Sequence, residues 1–307
     1  MKLHRFASGL RFPEGPVWMP DGSVLVTEIV GRKVRCCFGD GSSKVIAEPR
    51  GGPNGAAIGP DGAAYVCNGG GMAFTEIPSR GWILPGEQPD DYSGGSIQRV
   101  ELDTGKVTEL YTACDGHALR GPNDLVFDAS GGFWFTDHGK MRPRDRDRGG
   151  LYYASADGSS IREVLMPLDS PNGVSISPDG KRLYVAETFV ARVWAWDIEA
   201  PGVLKTRPRN RVFGGELMVG LGGYHVLDSM AVDRDGNICV ATIGDNNGIT
   251  VIAPDRAWVR HIHLPGPMPT NICFGGHNME TAYATLSAQG ELVSWEWSTT
   301  QSPDDTP

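Results

Sequence analysis

One phrase recurs along the chain and limits what it can fold into. Its clearest copy runs Ser170-Pro171-Asn172-Gly173-Val174-Ser175-Ile176-Ser177-Pro178-Asp179-Gly180 and ends on Leu183-Tyr184-Val185-Ala186-Glu187. Val174 and Ile176 alternate with serines as in a half-buried strand, Pro178-Asp179-Gly180 supplies turn chemistry, and Leu183 to Ala186 give a second strand, so the phrase reads as a β-hairpin. With Asn172 as anchor, the phrase also starts at Glu14, Asn54, Asn123, Asp228 and Asn271, making six copies. Asp-Gly follows the anchor at 21-22, 61-62, 179-180 and 235-236, with Ser130-Gly131 in the third copy and Asn278-Met279 in the last. Each second strand closes on a small polar or acidic residue: Glu28, Asn68, Asp137, Glu187, Thr242 and Thr285. In an antiparallel hairpin that residue lies beside the head of the first strand, which puts heads and tails on one face.

The copies start 40 to 69 residues apart. A recurrence of that size, in units too small to bury themselves alone, is the mark of a β-propeller, and six copies imply six blades. Further strand-like runs (Lys33 to Phe38, Ser96 to Leu102, Gly150 to Tyr153, Arg192 to Asp197, Gly248 to Ile252, Glu291 to Trp297) supply outer strands. A β-sandwich of hairpins would not need the fixed anchor spacing. The expected fold is therefore all-β, a six-bladed propeller with a central metal site, as one domain over 1–297 with a flexible tail over 298–307. The 42 glycines and 22 prolines fall mostly in the repeated turns.

If the anchors line the mouth of the central channel, Glu14, Asn54, Asn123, Asn172, Asp228 and Asn271 form a ring of oxygen donors with two carboxylates. Such a ring suits a divalent cation that prefers oxygen: calcium, magnesium or manganese. Asn and Asp also begin turns by bonding their own backbone. Turns equally accept Ser, Gly and Thr, and none of the six anchors is one of these.

The gap of 69 residues holds an insertion from Gly69 through Phe74, Trp82 and Tyr92 to Gly95, which reads either as a lid over the channel mouth or as an excursion on the propeller's side. Asp137 and His138 emerge on the anchor face, where His138 is a candidate acid, base or substrate hydrogen-bond donor. Lys140, Arg142, Arg144, Arg146 and Arg148, with Asp145 and Asp147 between them, read as a mobile solvated loop, with attraction of an anionic substrate as the alternative. His225 is a weaker site candidate, and His261, His263 and His277 read as structural.

A net charge of −9 argues against nucleic acid or an anionic membrane as partner, because both need a basic footprint. Nothing approaches transmembrane length, and residues 1–12 lack an apolar stretch, so no signal peptide and a cytoplasmic location are expected. The six cysteines lack metal spacing and read as reduced, buried small hydrophobes.

Glu14-Gly15-Pro16-Val17-Trp18, Pro122-Asn123-Asp124, Pro171-Asn172-Gly173 and Asp228-Ser229-Met230, in this order and spacing, resemble the gluconolactonase and senescence-marker-protein (regucalcin) family of six-bladed propellers. Phe133-Trp134-Phe135-Thr136-Asp137 resembles its bacterial gluconolactonase branch. The resemblance implies one divalent metal, calcium first, with magnesium, manganese or zinc as alternatives, on Glu14, Asn172 and Asp228, with Asn123 as ligand or substrate contact. It implies hydrolysis of a small-molecule sugar lactone; a monomer or small homo-oligomer is expected. Arg120, three residues before Asn123, departs from the family's substrate-binding arginine, which leaves the sugar open; Asn54 and His138 complete the expected substrate contacts. Asp228 is the candidate general base, and without a GxSxG elbow a covalent serine route is disfavoured. The related phosphotriesterase propellers use a similar Glu, Asn, Asn, Asp cluster, and a non-catalytic binding propeller is the alternative from another class.

Overall fold

The computed structural model describes residues 1–205 and 214–298. Six antiparallel sheets form the blades. From the axis outward the first is Pro13–Trp18, Val24–Glu28, Lys33–Cys37 and Ser43–Ala47, and the second is Pro53–Ile58, Ala64–Asn68, Ser96–Val100 and Val107–Tyr111. The third is Pro122–Phe127, Gly132–Asp137, Gly149–Ser155 and Ile161–Leu168. The fourth is Pro171–Ile176, Arg182–Glu187 and Arg192–Ala200, the last pairing with both Glu216–Gly220 and Val203–Leu204. The fifth is His225–Val232, Ile238–Gly244, Gly248–Ile252 and Val259–His263. The sixth is Pro269–Gly275, Thr281–Leu286 and Glu291–Glu296, completed by the N-terminal His4–Ala7, so the ring closes by joining both ends of the chain in one sheet. The six-bladed propeller read from the hairpin phrase is the fold, and the six outer runs named above are the third strands. From residue 299 the expected tail lies outside the described residues.

The core lies in the seams between blades. Leu25 and Val34 of the first blade meet Ala64 and Val66 of the second. Trp134 and Leu151 of the third meet Leu183 and Val185 of the fourth, and Tyr283 and Leu292 of the sixth meet Val24 and Val26 of the first. These side chains are almost wholly buried, each valine and leucine among them stabilising by about 1.5–3 kcal/mol relative to exposure. All six cysteines are free, Cys67 and Cys239 among the wholly buried residues. Among the described residues no helix is long and apolar enough to cross a membrane.

Near the axis the blades come so close that a side chain would collide. A Cβ on Gly173 would lie 2.6 Å from the Met230 backbone N and 2.9 Å from the Asp228 carbonyl O, and one on Gly15 would lie 2.6 Å from the Asn54 carbonyl O. Gly173→Ala is expected to destabilise by about 1–3 kcal/mol, the usual cost of overpacking, read as a lower denaturation midpoint with an unchanged m-value.

Candidate active site

The anchors reach the axis because each innermost strand breaks register at or next to its anchor. The shifts fall between Glu14 and Val17, Pro53 and Ala56, Pro122 and Leu125, Pro171 and Val174, Leu227 and Met230, and Pro269 and Asn271. A bulge at this position re-aims the side chain away from the sheet face. Glu14, Asn54, Asn123, Asn172 and Asp228 thereby line one cavity of about 440 Å³ at the end of the channel. Asn271, the sixth anchor, does not line it. Its Nδ2 donates to Glu14 Oε2 at 3.0 Å, while its Oδ1 accepts from the Ile272 amide at 2.8 Å. It positions the acid instead of joining the ring.

The tails have another task. Glu28 accepts the Arg11 amide at 2.7 Å, Asn68 the Gly52 amide at 2.8 Å, Asp137 the Arg120 and Gly121 amides at 2.7 Å, and Glu187 the Asp169 amide at 2.7 Å. Each therefore latches the loop two or three residues ahead of its own blade's anchor. Heads and tails share a face as the hairpin reading expects, but these four tails are buried in backbone hydrogen bonds and hold their anchors in place, whereas Thr242 bonds Thr250 and Thr285 bonds Thr270.

Electrostatically the floor is strained. Burial, then the charge of Glu14, push Asp228 well above the ordinary carboxylate range, even though part of the residue opens to the cavity. Glu14 is raised too, by burial, against hydrogen bonds from Thr270, Asn271 and the Gly15 amide. A third acid lies beneath them: Asp124, buried and repelled by Glu14, is raised to about 7. The sequence holds a signal for it, since copies one, two and four place Gly after the anchor and the third places an acid there.

Above the floor, His138 lines the wall with its ring edge-on to Phe189 at 5.8 Å. Burial pushes it down to about 4, so at neutral pH it is an uncharged hydrogen-bonding group. Arg120 is exposed and is not among the cavity residues; its amide holds Asp137 and its carbonyl accepts the Tyr92 hydroxyl at 2.6 Å. The His225 Nδ1 lies 2.6 Å from the Gly222 carbonyl, outside the cavity.

The insertion joins the cavity wall. Phe74–Ile77 and Trp82–Pro85 pair as a ribbon, Phe74 packs on Phe12 at 4.9 Å, and Met72 with Leu84 to Gln88 line the cavity. Three hydrogen bonds fasten it to the loop between the second and third strands of the third blade: from the Gln88 amide to the Met141 carbonyl at 2.8 Å, from Lys140 Nζ to the Gly71 carbonyl at 2.7 Å, and from the Arg142 guanidinium to Gln88 Oε1 at 3.5 Å. That loop is largely solvent-exposed, as expected from its charges, but it is tied together by pairing. Met141–Arg142 pairs with Asp145–Arg146, Arg142 bonds Asp145 and Asp147, and Arg146 bonds Asp169. Lys140 is 8% exposed and is pushed down to about 8 by burial. Opposite charges at short spacing satisfied one another, which a count of net charge does not capture.

Whether a divalent cation suits the floor turns on its donors. Among the described residues no three His, Cys, Asp or Glu side chains gather as a metal cluster. Two carboxylates meet amides instead, and two amide oxygens, Asn54 Oδ1 and Asn123 Oδ1, are buried without a hydrogen-bond partner. Such orphans are rare and call for an explanation. Two repelling acids beside two unpaired carbonyl oxygens fit a hard cation.

The description SMP-30/Gluconolactonase/LRE-like region belongs to a family whose model matches residues 12–288. A gluconolactonase of Zymomonas mobilis is 28% identical over 294 residues, covering 88% of this chain and 74% of the relative. A lactonase drp35 of Staphylococcus haemolyticus is 27% identical over 256 residues, 82% of this chain and 70% of the relative. The solved structure of a gluconolactonase from Xanthomonas campestris superposes with a TM-score of 0.73 at 23% identity, covering 95% of this chain and 88% of that one.

Proposed function

Because the chain belongs to the SMP-30/gluconolactonase/LRE-like family, we propose that its axial cavity opens lactone rings by adding water to the ring carbonyl. The observation that carries this reading is the pairing of the Glu14 and Asp228 carboxylates with the unpartnered carbonyl oxygens of Asn54 and Asn123 in one cavity. Glu14, Asn123, Asn172 and Asp228 would hold a divalent cation, calcium first, with magnesium, manganese or zinc as alternatives. When bound it supplies a Lewis acid for the lactone carbonyl.

The chain's own residues do the rest. Asp228 takes the proton from the attacking water, a role suited to a carboxylate whose basicity burial has raised. Asn271 and the Gly15 amide fix Glu14, and Thr188 fixes Asn172 by accepting from its Nδ2 at 3.2 Å. Asn54 and the neutral His138 orient the substrate. The insertion and the Lys140 loop wall off the floor, which strengthens its electrostatics by excluding water. A sugar lactone is the first substrate to assay, given the name of the Zymomonas relative.

Acid release from aldonolactones, aliphatic lactones and phosphotriesters, using chelated protein and protein resupplied with each divalent ion, tests the reading. Ion-dependent lactone opening is the expected result. Turnover of phosphotriesters alone, or of nothing in the panel, overturns it.

A further inference from the structure

The floor accounts for a lactone ring; the wall bears on what the ring carries. Met72, Leu84, Met141, Phe189, Tyr224 and Met268 face the cavity above the anchors, from five of the six blades. Among the described residues, large hydrophobics are exposed at only seven positions, and three of these, Met141 at 38%, Phe189 at 40% and Tyr224 at 69%, stand on this wall. Apolar surface gathered at one concave site marks a binding surface, whereas scattered single residues do not.

Three polar groups of the same wall already spend part of their hydrogen-bonding capacity on the protein. Lys140 donates to the Gly71 carbonyl, Thr188 accepts from Asn172, and Gln88 accepts from Arg142 at 3.5 Å. Above the floor a substituent meets mostly methionine, leucine and aromatic side chains, so hydroxyls desolvated there cost binding, whereas an alkyl or aryl group loses nothing against such surface.

We infer that the preferred substrates are lactones carrying an apolar substituent, seated against the Met72, Met141, Phe189 and Tyr224 wall while the ring carbonyl meets the floor. The inference rests on the lactone reading and names its substrate class. Specificity then comes from buried apolar area. A buried methylene contributes about 0.8 kcal/mol, so kcat/KM is expected to rise about fourfold per carbon over the first few carbons of a side chain.

The test uses cation-supplied protein with γ-butyrolactone, γ-lactones of increasing alkyl length, and glucono-δ-lactone. A rising series that overtakes glucono-δ-lactone is the expected result, and Phe189→Ser, at an exposed position, is expected to flatten the ratio of the longest lactone to γ-butyrolactone. Turnover that is flat with chain length, or fastest on glucono-δ-lactone, overturns the substrate class and leaves the lactone reading standing. No turnover of any lactone overturns both.

Discussion

Asp228→Asn is expected to lower kcat/KM by about 10²–10⁴-fold, the usual worth of a positioned general base, and Glu14→Gln to lower it comparably. Both replacements keep the side chain's shape, so the loss is one of charge and proton acceptance. The two acids carry raised proton affinities through burial, and in Asp228 through the neighbouring charge of Glu14. Removing one therefore relieves a repulsion. The cation-free Glu14→Gln protein is expected to melt at or above the parent temperature, because Asn271 can still bond the amide oxygen at position 14. Steady-state kinetics and thermal melts of the same preparations check this together. Near-full activity in both variants would sink the proposed chemistry. A much lower melting temperature would show that the charges hold the fold together.

The second large effect expected is a cation-dependent gain in stability that grows with pH. Asp124 is held at about 7, and Glu14 and Asp228 are also raised. For a carboxyl raised on folding, the native state binds more protons than the unfolded chain between the two pKa values, so stability falls as pH climbs. For Asp124 the window runs from the ordinary carboxylate value of 3.8 to about 7. His138, depressed from 6.5 to about 4, acts in the opposite sense over most of this window. Comparing melts with and without cation at each pH cancels that contribution. A ligand that binds only the folded state adds about 2.7 kcal/mol at a hundredfold excess over Kd, a shift of several degrees for a chain of this size. Calcium is expected to raise the melting temperature more at pH 8 than at pH 5, and to do so far less in Glu14→Gln. An equal shift at both pH values would separate cation binding from the buried acids.

Much of this was legible in the sequence because the governing physics is local and repeated. A hairpin states its register through alternation and its turn through Asp-Gly, and six such hairpins at nearly fixed internal spacing leave the propeller as the economical closed solution. The anchors were legible for the same reason: six oxygen-bearing side chains at one position in the phrase must reach one end of the channel.

What repetition does not encode was not legible. The closing strand His4–Ala7 has no counterpart in the phrase and pairs with Glu291–Glu296 across almost the whole chain. Nothing local distinguishes Asn271, turned onto Glu14, from Asn172, which faces the cavity, because the choice depends on which acid the adjacent blade presents. Arg120 stands three residues from an anchor, yet its side chain points to solvent while its backbone serves the latch on Asp137.

The sequence by itself therefore determined the blades, their number and the oxygen-rich floor, since each follows from short-range pattern multiplied six times. Only the tertiary structure decided which anchors line the cavity, that four of the tails are latches, and that the insertion and the Lys140 loop interlock as an apolar wall. Those outcomes depend on contacts between segments tens to hundreds of residues apart. Their side chains become neighbours only after the ring has closed.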